Sequence, residues 1–302
     1  LTDSNHNHAP APQYFDAPNP HGASGTHKIA FYEWGSPYAP AIFCAHGLTR
    51  NGRDFDYLAR QLAAHYRVIA VDVAGRGNSS PLSNLRWYEN STYMQDILAL
   101  AERMNLPKFD WIGTSMGGII GMMIASLMPG KITRMVLNDI GALIPAEGLM
   151  RIGDYVGKRD SFPSLYEADS YLRKIMQPFG ITQPEHWDHM LQHSLVHHED
   201  GSITFSYDPA IGDAFRLAAS EMEKIEDISL WMLWESITCP TLIIRGEKSD
   251  ILSRETATRM CAEHKKATLV EFAGIGHAPT LMDDQQINAI LQWLQANPLK
   301  CI

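Results

Sequence analysis

The stretch Gly113-Thr114-Ser115-Met116-Gly117 sets a hydroxyl between glycines two residues to either side. That spacing suits a nucleophile at the tip of a sharp strand-to-helix turn. The strained backbone there brings the flanking positions so close to their surroundings that a side chain would collide. Such a turn lifts the Ser115 hydroxyl clear of a sheet. It also aims the first helical N–H groups, that of Met116 among them, at a developing oxyanion. The flanks agree: Asp110 to Ile112 can end a strand, and Gly118 to about Met128 is an apolar helical run. In a chain with 22 glycines the pattern alone is weak, since a glycine-rich turn before a packed helix would look the same. It needs partners elsewhere.

A serine hydroxyl is a poor nucleophile at neutral pH. It needs a base within hydrogen-bond reach, and the base needs a carboxylate to orient it. His277, in Gly274-Ile-Gly-His-Ala-Pro, follows an apolar strand pattern and fits as the base. Two aspartates compete to orient it. Asp250 follows the strand pattern ending at Gly246, and Asp139 ends another. Glu247 fits less well. A further strand runs into His46-Gly47-Leu48, whose loop offers the Leu48 backbone N–H as a second oxyanion donor, with His46 shaping the loop rather than acting as a base. Arg50 and Asn51 are candidate substrate contacts, with an ordinary surface loop as the equal alternative. Asp72 and Arg76 read as residues that fix loops.

These residues need elements to carry them. Buried or alternating strand patterns cover 27–34, 41–45, 66–72, 134–139, 240–246 and 267–272. Helical spacing covers 54–65, 91–104, 253–263 and 284–296, and Met94, Ile97, Leu98 and Ala101 form the inner stripe of the second. Strand alternating with helix predicts an α/β fold with a mostly parallel central sheet and helices on both faces. The candidate residues would share the carboxyl edge of that sheet, where ligands bind in such folds. From 142 to 236 the rhythm breaks into helical segments rich in aromatics, with no clear buried strand. The predicted organisation is a flexible N-terminal arm at 1–26, a core at 27–141 and 237–302, and a helical cap inserted at 142–236.

Composition narrows the function. At 302 residues, 45% apolar and 20% charged, the chain can bury a substantial core. A net charge of −9 disfavours a nucleic-acid partner. No apolar run is long enough to span a bilayer, and residues 1–26 hold no secretion-signal core. Cys44, Cys239, Cys261 and Cys301 match neither a zinc pattern nor a disulfide framework, which fits a reducing, cytoplasmic setting. His6, His8, His21 and His27 belong to the polar arm or its end. His186, His189, His193, His197 and His198 read as solvated or packing residues of the cap, so no metal site is expected.

Taken together, His46-Gly47, Asp72 with Gly75-Arg-Gly-Asn-Ser79, Gly113-Thr-Ser-Met-Gly117, Asp250 and His277 resemble the α/β-hydrolase superfamily, specifically its cap-bearing serine hydrolases. The resemblance covers nearly all of the core. It implies a triad of Ser115, Asp250 and His277, because Ser249-Asp-Ile before a helix matches the family's usual acid position, although some members place the acid where Asp139 stands. It further implies an oxyanion hole from the Leu48 and Met116 N–H groups, an acyl-enzyme intermediate and no cofactor. The expected activity is hydrolysis of a carboxylic ester or lactone, with a small-molecule acyl substrate as partner. A homo-oligomer is compatible with all of this. Relatives with a carboxylate nucleophile are excluded by the serine. The rival reading is a carbon–carbon bond hydrolase of the ring-cleavage-product type, whose elbows also often read Ser-Met-Gly-Gly but whose loop often carries a Gly-Pro-Gly absent at 46–51. A non-catalytic small-ligand receptor on the same fold is the reading from another class.

Overall fold

The computed structural model describes residues 10–158, 161–221 and 224–299. Its centre is an eight-stranded sheet. In chain order the core strands are β1 (Gln13–Pro18), β2 (Thr26–Trp34), β3 (Ala41–Ala45), β4 (Arg67–Val71), β5 (Phe109–Thr114) and β6 (Ile132–Asn138). Between them run α1 (Asp56–Leu62), α2 (Asn90–Arg103) and α3 (Met116–Leu127). The cap holds β7 (Leu143–Ile144), α4 (Ala146–Gly153), α5 (Leu165–Ile175), α6 (Pro184–Ser194), β8 (Leu195–His197), β9 (Ile203–Phe205), α7 (Ala210–Ser220), β10 (Ile228–Ser229) and α8 (Trp231–Ser236). The core then closes with β11 (Thr241–Gly246), α9 (Arg254–Glu263), β12 (Ala267–Phe272) and α10 (Asp284–Ala296).

The strand order is β1-β2-β4-β3-β5-β6-β11-β12. β1 and β2 pair antiparallel with their neighbours, and from β4 to β12 every pairing is parallel. The parallel strands are apolar on both faces because both faces are covered. In β3, Ile42 and Cys44 pack among residues of α1 and α10, while Phe43 and Ala45 pack among residues of α2 and α3. The chain reverses its direction across the sheet between β3 and β5, and the crevice outside such a reversal is where ligands bind.

Three expectations need correction. The N-terminal segment is not simply an arm: Gln13–Pro18 is an edge strand in register with 26–31, and His27 is buried against Asp96 with Nε2 3.0 Å from its carboxylate. His6 and His8 lie outside the described residues. The cap is not purely helical, since β8 and β9 form an antiparallel hairpin and β7 pairs with β10. On α2 the buried stripe includes Tyr93, Asp96 and Leu100, with Met94 and Leu98 only partly covered. Among the described residues, no helix is long and apolar enough to cross a membrane.

Candidate active site

Ser115 holds φ 51° and ψ −115° between β5 and α3. A side chain at Gly113 would put its Cβ 2.4 Å from the Gly117 backbone, and one at Gly117 would lie 2.0 Å from the Ala45 carbonyl oxygen. Neither position has room for a methyl group, so the glycine spacing is a steric requirement of this turn. The Gly117 N–H donates to the His46 carbonyl at 3.1 Å, which ties the turn to the loop after β3.

His277 stands over the turn from the loop after β12. Its Nε2 is 2.9 Å from Ser115 Oγ and its Nδ1 2.8 Å from Asp139 Oδ2. The loop is fixed at both sides, by Asn138 Nδ2 donating to the Pro279 carbonyl and by the Gly276 N–H donating to Pro178 of the cap. Asp139 is fully buried and also accepts from the Gly246 N–H at 2.8 Å and the Ser249 hydroxyl at 2.6 Å. Three donors on one carboxylate hold its orientation. With Nδ1–H donating to Asp139, the imidazole presents Nε2 to Ser115 as an acceptor.

The acid facing His277 is therefore Asp139 and not the expected Asp250. β6 lies directly beside β5, so a residue at its end reaches the space behind Ser115. Asp139 turns into that space through a left-handed backbone, φ 55°. Asp250 makes no hydrogen bond to His277 among the described residues. Its carboxylate is clasped by Arg151 of α4, with Nη2 at 2.9 Å and Nε closer still. Its pKa lies below the ordinary value: desolvation pushes it up, but the Arg151 hydrogen bond and charge outweigh that. The neighbouring Ser249, whose hydroxyl donates to Asp139, is what this loop contributes to the site.

His46 behaves as a structural brace. Its Nε2 accepts from the Val73 N–H at 3.0 Å and its Nδ1 donates to the Gly47 carbonyl at 2.7 Å. Burial pushes its pKa down to about 3, so it stays neutral. Asp72 accepts from the Gly52 and Asn78 N–H groups and likewise fixes loops. Met116 is the first residue of α3, so its N–H belongs to the set a helix leaves unpaired at its start.

Two cavities meet at Leu48, Ser115 and Ile152. The smaller, about 60 Å³, also touches Arg50, Asp54, Tyr155, Met190 and His277. The larger, about 340 Å³, is walled by Met116, Ile119, Ile140, Leu149, Ile211, Phe215 and Ile251, with Arg76, Tyr88 and Tyr93 at one side. Cap and core both contribute to each. Arg50 and Asn51 are buried, not surface-exposed. Arg50 reaches the small cavity while bonded to Asp54 and to Ser194 of the cap. Asn51 donates to the His193 carbonyl at 2.6 Å, so it docks the cap rather than facing either cavity.

Among the cap histidines, His189 and His193 come together with Asp56 of α1. Both oxygens of that carboxylate already accept from Arg53, and His189 Nε2 is 2.8 Å from the Arg53 carbonyl. The donor set is thus committed to joining α6 to the core.

A strand-end serine, a histidine from the loop after the last strand and a buried acid, on this sheet, define a class, and comparison with known proteins agrees. Residues 42–290 match the model of the alpha/beta hydrolase family, and the chain belongs to it. It is 41% identical over 268 residues to a 3-hydroxybutyrate-oligomer hydrolase of Cupriavidus necator, covering 87% of this chain and 92% of that protein. A crystal structure of a Rickettsia typhi protein superposes with a TM-score of 0.86 at 37% identity, over 95% of this chain and 99% of that one. An alpha/beta hydrolase from Novosphingobium aromaticivorans gives 0.82 at 33%, over 94% and 98%. The protein is a hydrolase of this fold.

Proposed function

We propose that the protein is a serine ester hydrolase acting on short linear esters of hydroxy acids. The observation that carries the proposal is the hydrogen-bonded series Asp139, His277, Ser115 at the junction of two cavities. Ser115 Oγ attacks the ester carbonyl as His277 Nε2 takes its proton, and Asp139 stabilises the imidazolium that forms. The Leu48 and Met116 N–H groups receive the oxyanion. The carbon–oxygen bond to the alcohol then breaks, and the alcohol leaves with the proton from His277. Water, deprotonated by the same nitrogen, attacks the acyl-enzyme and frees the acid and Ser115. A site divided into two cavities at the nucleophile suits an ester with substantial groups on both sides of the reacting carbonyl. The hydroxy-acid substrate class is supported by the likeness to the 3-hydroxybutyrate-oligomer hydrolase of Cupriavidus necator.

The test compares wild type and Ser115→Ala on the linear dimer and trimer of 3-hydroxybutyrate, p-nitrophenyl esters of rising chain length, and lactones. We expect Ser115-dependent cleavage of the oligomers with kcat/KM above that for the simple esters. Cleavage of lactones or simple esters alone would leave a serine hydrolase but remove the oligomer assignment. Turnover that survives Ser115→Ala would remove the mechanism.

A further inference from the structure

Arg76 is a charged group the triad does not use. Four arginines are buried among the described residues: Arg50, Arg76, Arg134 and Arg245. Three have carboxylate partners, in Asp54, Asp110 and Glu271. Among the described residues Arg76 has none within ion-pair distance, although it is 0% exposed. A guanidinium cannot shed its charge in a protein, and burying a charge without a counter-charge is costly. Its Nε donates to the Leu48 carbonyl at 2.9 Å and its Nη1 to the Ala74 carbonyl at 2.7 Å, while Nη2 lies 3.8 Å from the Met116 sulfur and the Tyr93 hydroxyl is a further neutral hydrogen-bond partner. The rings of Tyr93 and Tyr88 lie 4.7 and 5.8 Å from the guanidinium carbon. Nearby acids are engaged elsewhere: Asp208 accepts from the Tyr88 hydroxyl, Asp96 pairs with His27, and Glu89 accepts from Ser91 and pairs with His21.

The Arg76 side chain forms part of the wall of the cavity of about 340 Å³, and so does Ser115. A buried cation thus borders a mostly apolar chamber that opens on the nucleophile and whose wall also holds Glu89 and Asn90. Two of its polar contacts are with Leu48 and Met116, the residues offered as oxyanion donors. We propose that Arg76 is the counter-charge for a substrate carboxylate, so that the preferred substrates are anionic esters of the β-acyloxy acid type, entering this cavity by their free carboxyl end. The inference rests on the ester-hydrolase reading above. In a β-acyloxy acid the carboxylate carbon is four bonds, about 5 Å, from the ester carbonyl carbon. That short reach suits a cation that shares two residues with the oxyanion donors. Arginine also offers a planar fork that matches a carboxylate.

The experiment separates recognition from chemistry. Ser115→Ala should bind the linear 3-hydroxybutyrate dimer without turning it over, and calorimetry compares the free acid with its methyl ester. We expect the acid to bind at least tenfold more tightly. In Ser115→Ala/Arg76→Gln that preference should vanish, and in Ser115→Ala/Arg76→Lys, which keeps the charge but not the fork, it should shrink. Arg76→Gln alone also releases the Leu48 carbonyl and should lower kcat on every ester. That loss falls equally on acid and methyl ester, so the diagnostic is the ratio of their kcat/KM values. If Arg76→Gln does not fold, the Lys variant carries the comparison. Equal binding of acid and methyl ester by Ser115→Ala, no binding of the acid, or a preference that survives both Arg76 substitutions would overturn the inference. Ser115-dependent cleavage of the methyl ester would leave the ester-hydrolase reading intact in any of those cases. Failure of that reading shows instead as no cleavage of either ester.

Discussion

Ser115 and Asp139 both occupy left-handed backbone, φ 51° and 55°, a conformation that costs on the order of 1–3 kcal/mol at a non-glycine residue. Two such positions meeting at one histidine mark where the fold concentrates strain. Asp139→Asn keeps an acceptor for the Gly246 N–H but turns an amide donor toward His277 Nδ1. The imidazole is then driven to the tautomer whose Nε2 carries the proton and cannot accept from Ser115. We expect kcat/KM to fall roughly 10³–10⁴-fold with the fold retained, as when the acid of such a triad is neutralised. Asp250→Asn should fall no more than about tenfold, since its carboxylate serves Arg151. The reverse order of these two losses would restore Asp250 as the acid. Gly117→Ala drives a Cβ into the Ala45 carbonyl, and we expect an insoluble or strongly destabilised protein, read as a lowered Tm. The elbow was legible in the sequence because its steric demands fall on two glycines at a fixed spacing about Ser115. The acid was not. Asp139 and Asp250 both follow strands, and the choice between them depends on the backbone turn at Asp139 and on Arg151, 99 positions from Asp250, taking the other carboxylate.

At the scale of elements, the cap is fastened by two kinds of contact. Buried ones join α6 and the segment after β9 to core loops: Asn51 to the His193 carbonyl, the Gly77 N–H to the Ser206 carbonyl, and the Asp208 N–H to the Gly75 carbonyl. The Arg151–Asp250 pair is different, with about a third of each side chain exposed. Asn51→Ala leaves the His193 carbonyl with only the Ser206 hydroxyl as donor and should cost about 0.5–1.5 kcal/mol of cap docking. Amide exchange in 184–206 should accelerate while β3 and β5 stay protected. Arg151→Met and Asp250→Asn combined in a double-mutant cycle should show a coupling below about 1 kcal/mol, falling further with added salt. A coupling of several kcal/mol would make this pair the main latch. The same contrast explains what was legible at this level. Parallel strands covered on both faces announce themselves as apolar runs. β1 is an edge strand whose Gln-Tyr-Phe-Asp-Ala-Pro leaves most positions open to solvent, and the β8–β9 hairpin is three residues to a side, so neither carries a pattern.

For the molecule as a whole, buried histidines set the response to acid. Desolvation lowers the pKa of His46 and His193, each to about 3, and also lowers those of His189 and His264. Each is neutral in the folded protein but takes up a proton below pH 6.5 once unfolded. Their contribution is therefore present above pH 6.5 and lost as the pH falls toward the folded values. Two buried carboxylates act in the opposite sense. Burial raises Asp72 to about 6 and also raises Asp96, so the folded state binds their protons first as the pH drops. Stability should thus fall as the pH drops below 6.5, because the four histidines outnumber the two carboxylates that oppose them. The slope is about 1.4 kcal/mol per pH unit for each proton taken up without compensation. Urea unfolding from pH 7.5 to 5 reads it directly. His193→Phe keeps a ring against His189 and removes one titrating group, so its midpoint should vary less with pH than that of wild type. A midpoint that stays constant or rises on acidification would mean these histidines keep their solvent pKa in the fold. The packing of α6 onto the core would then be wetter than its contacts with Arg53 and Asn51 imply.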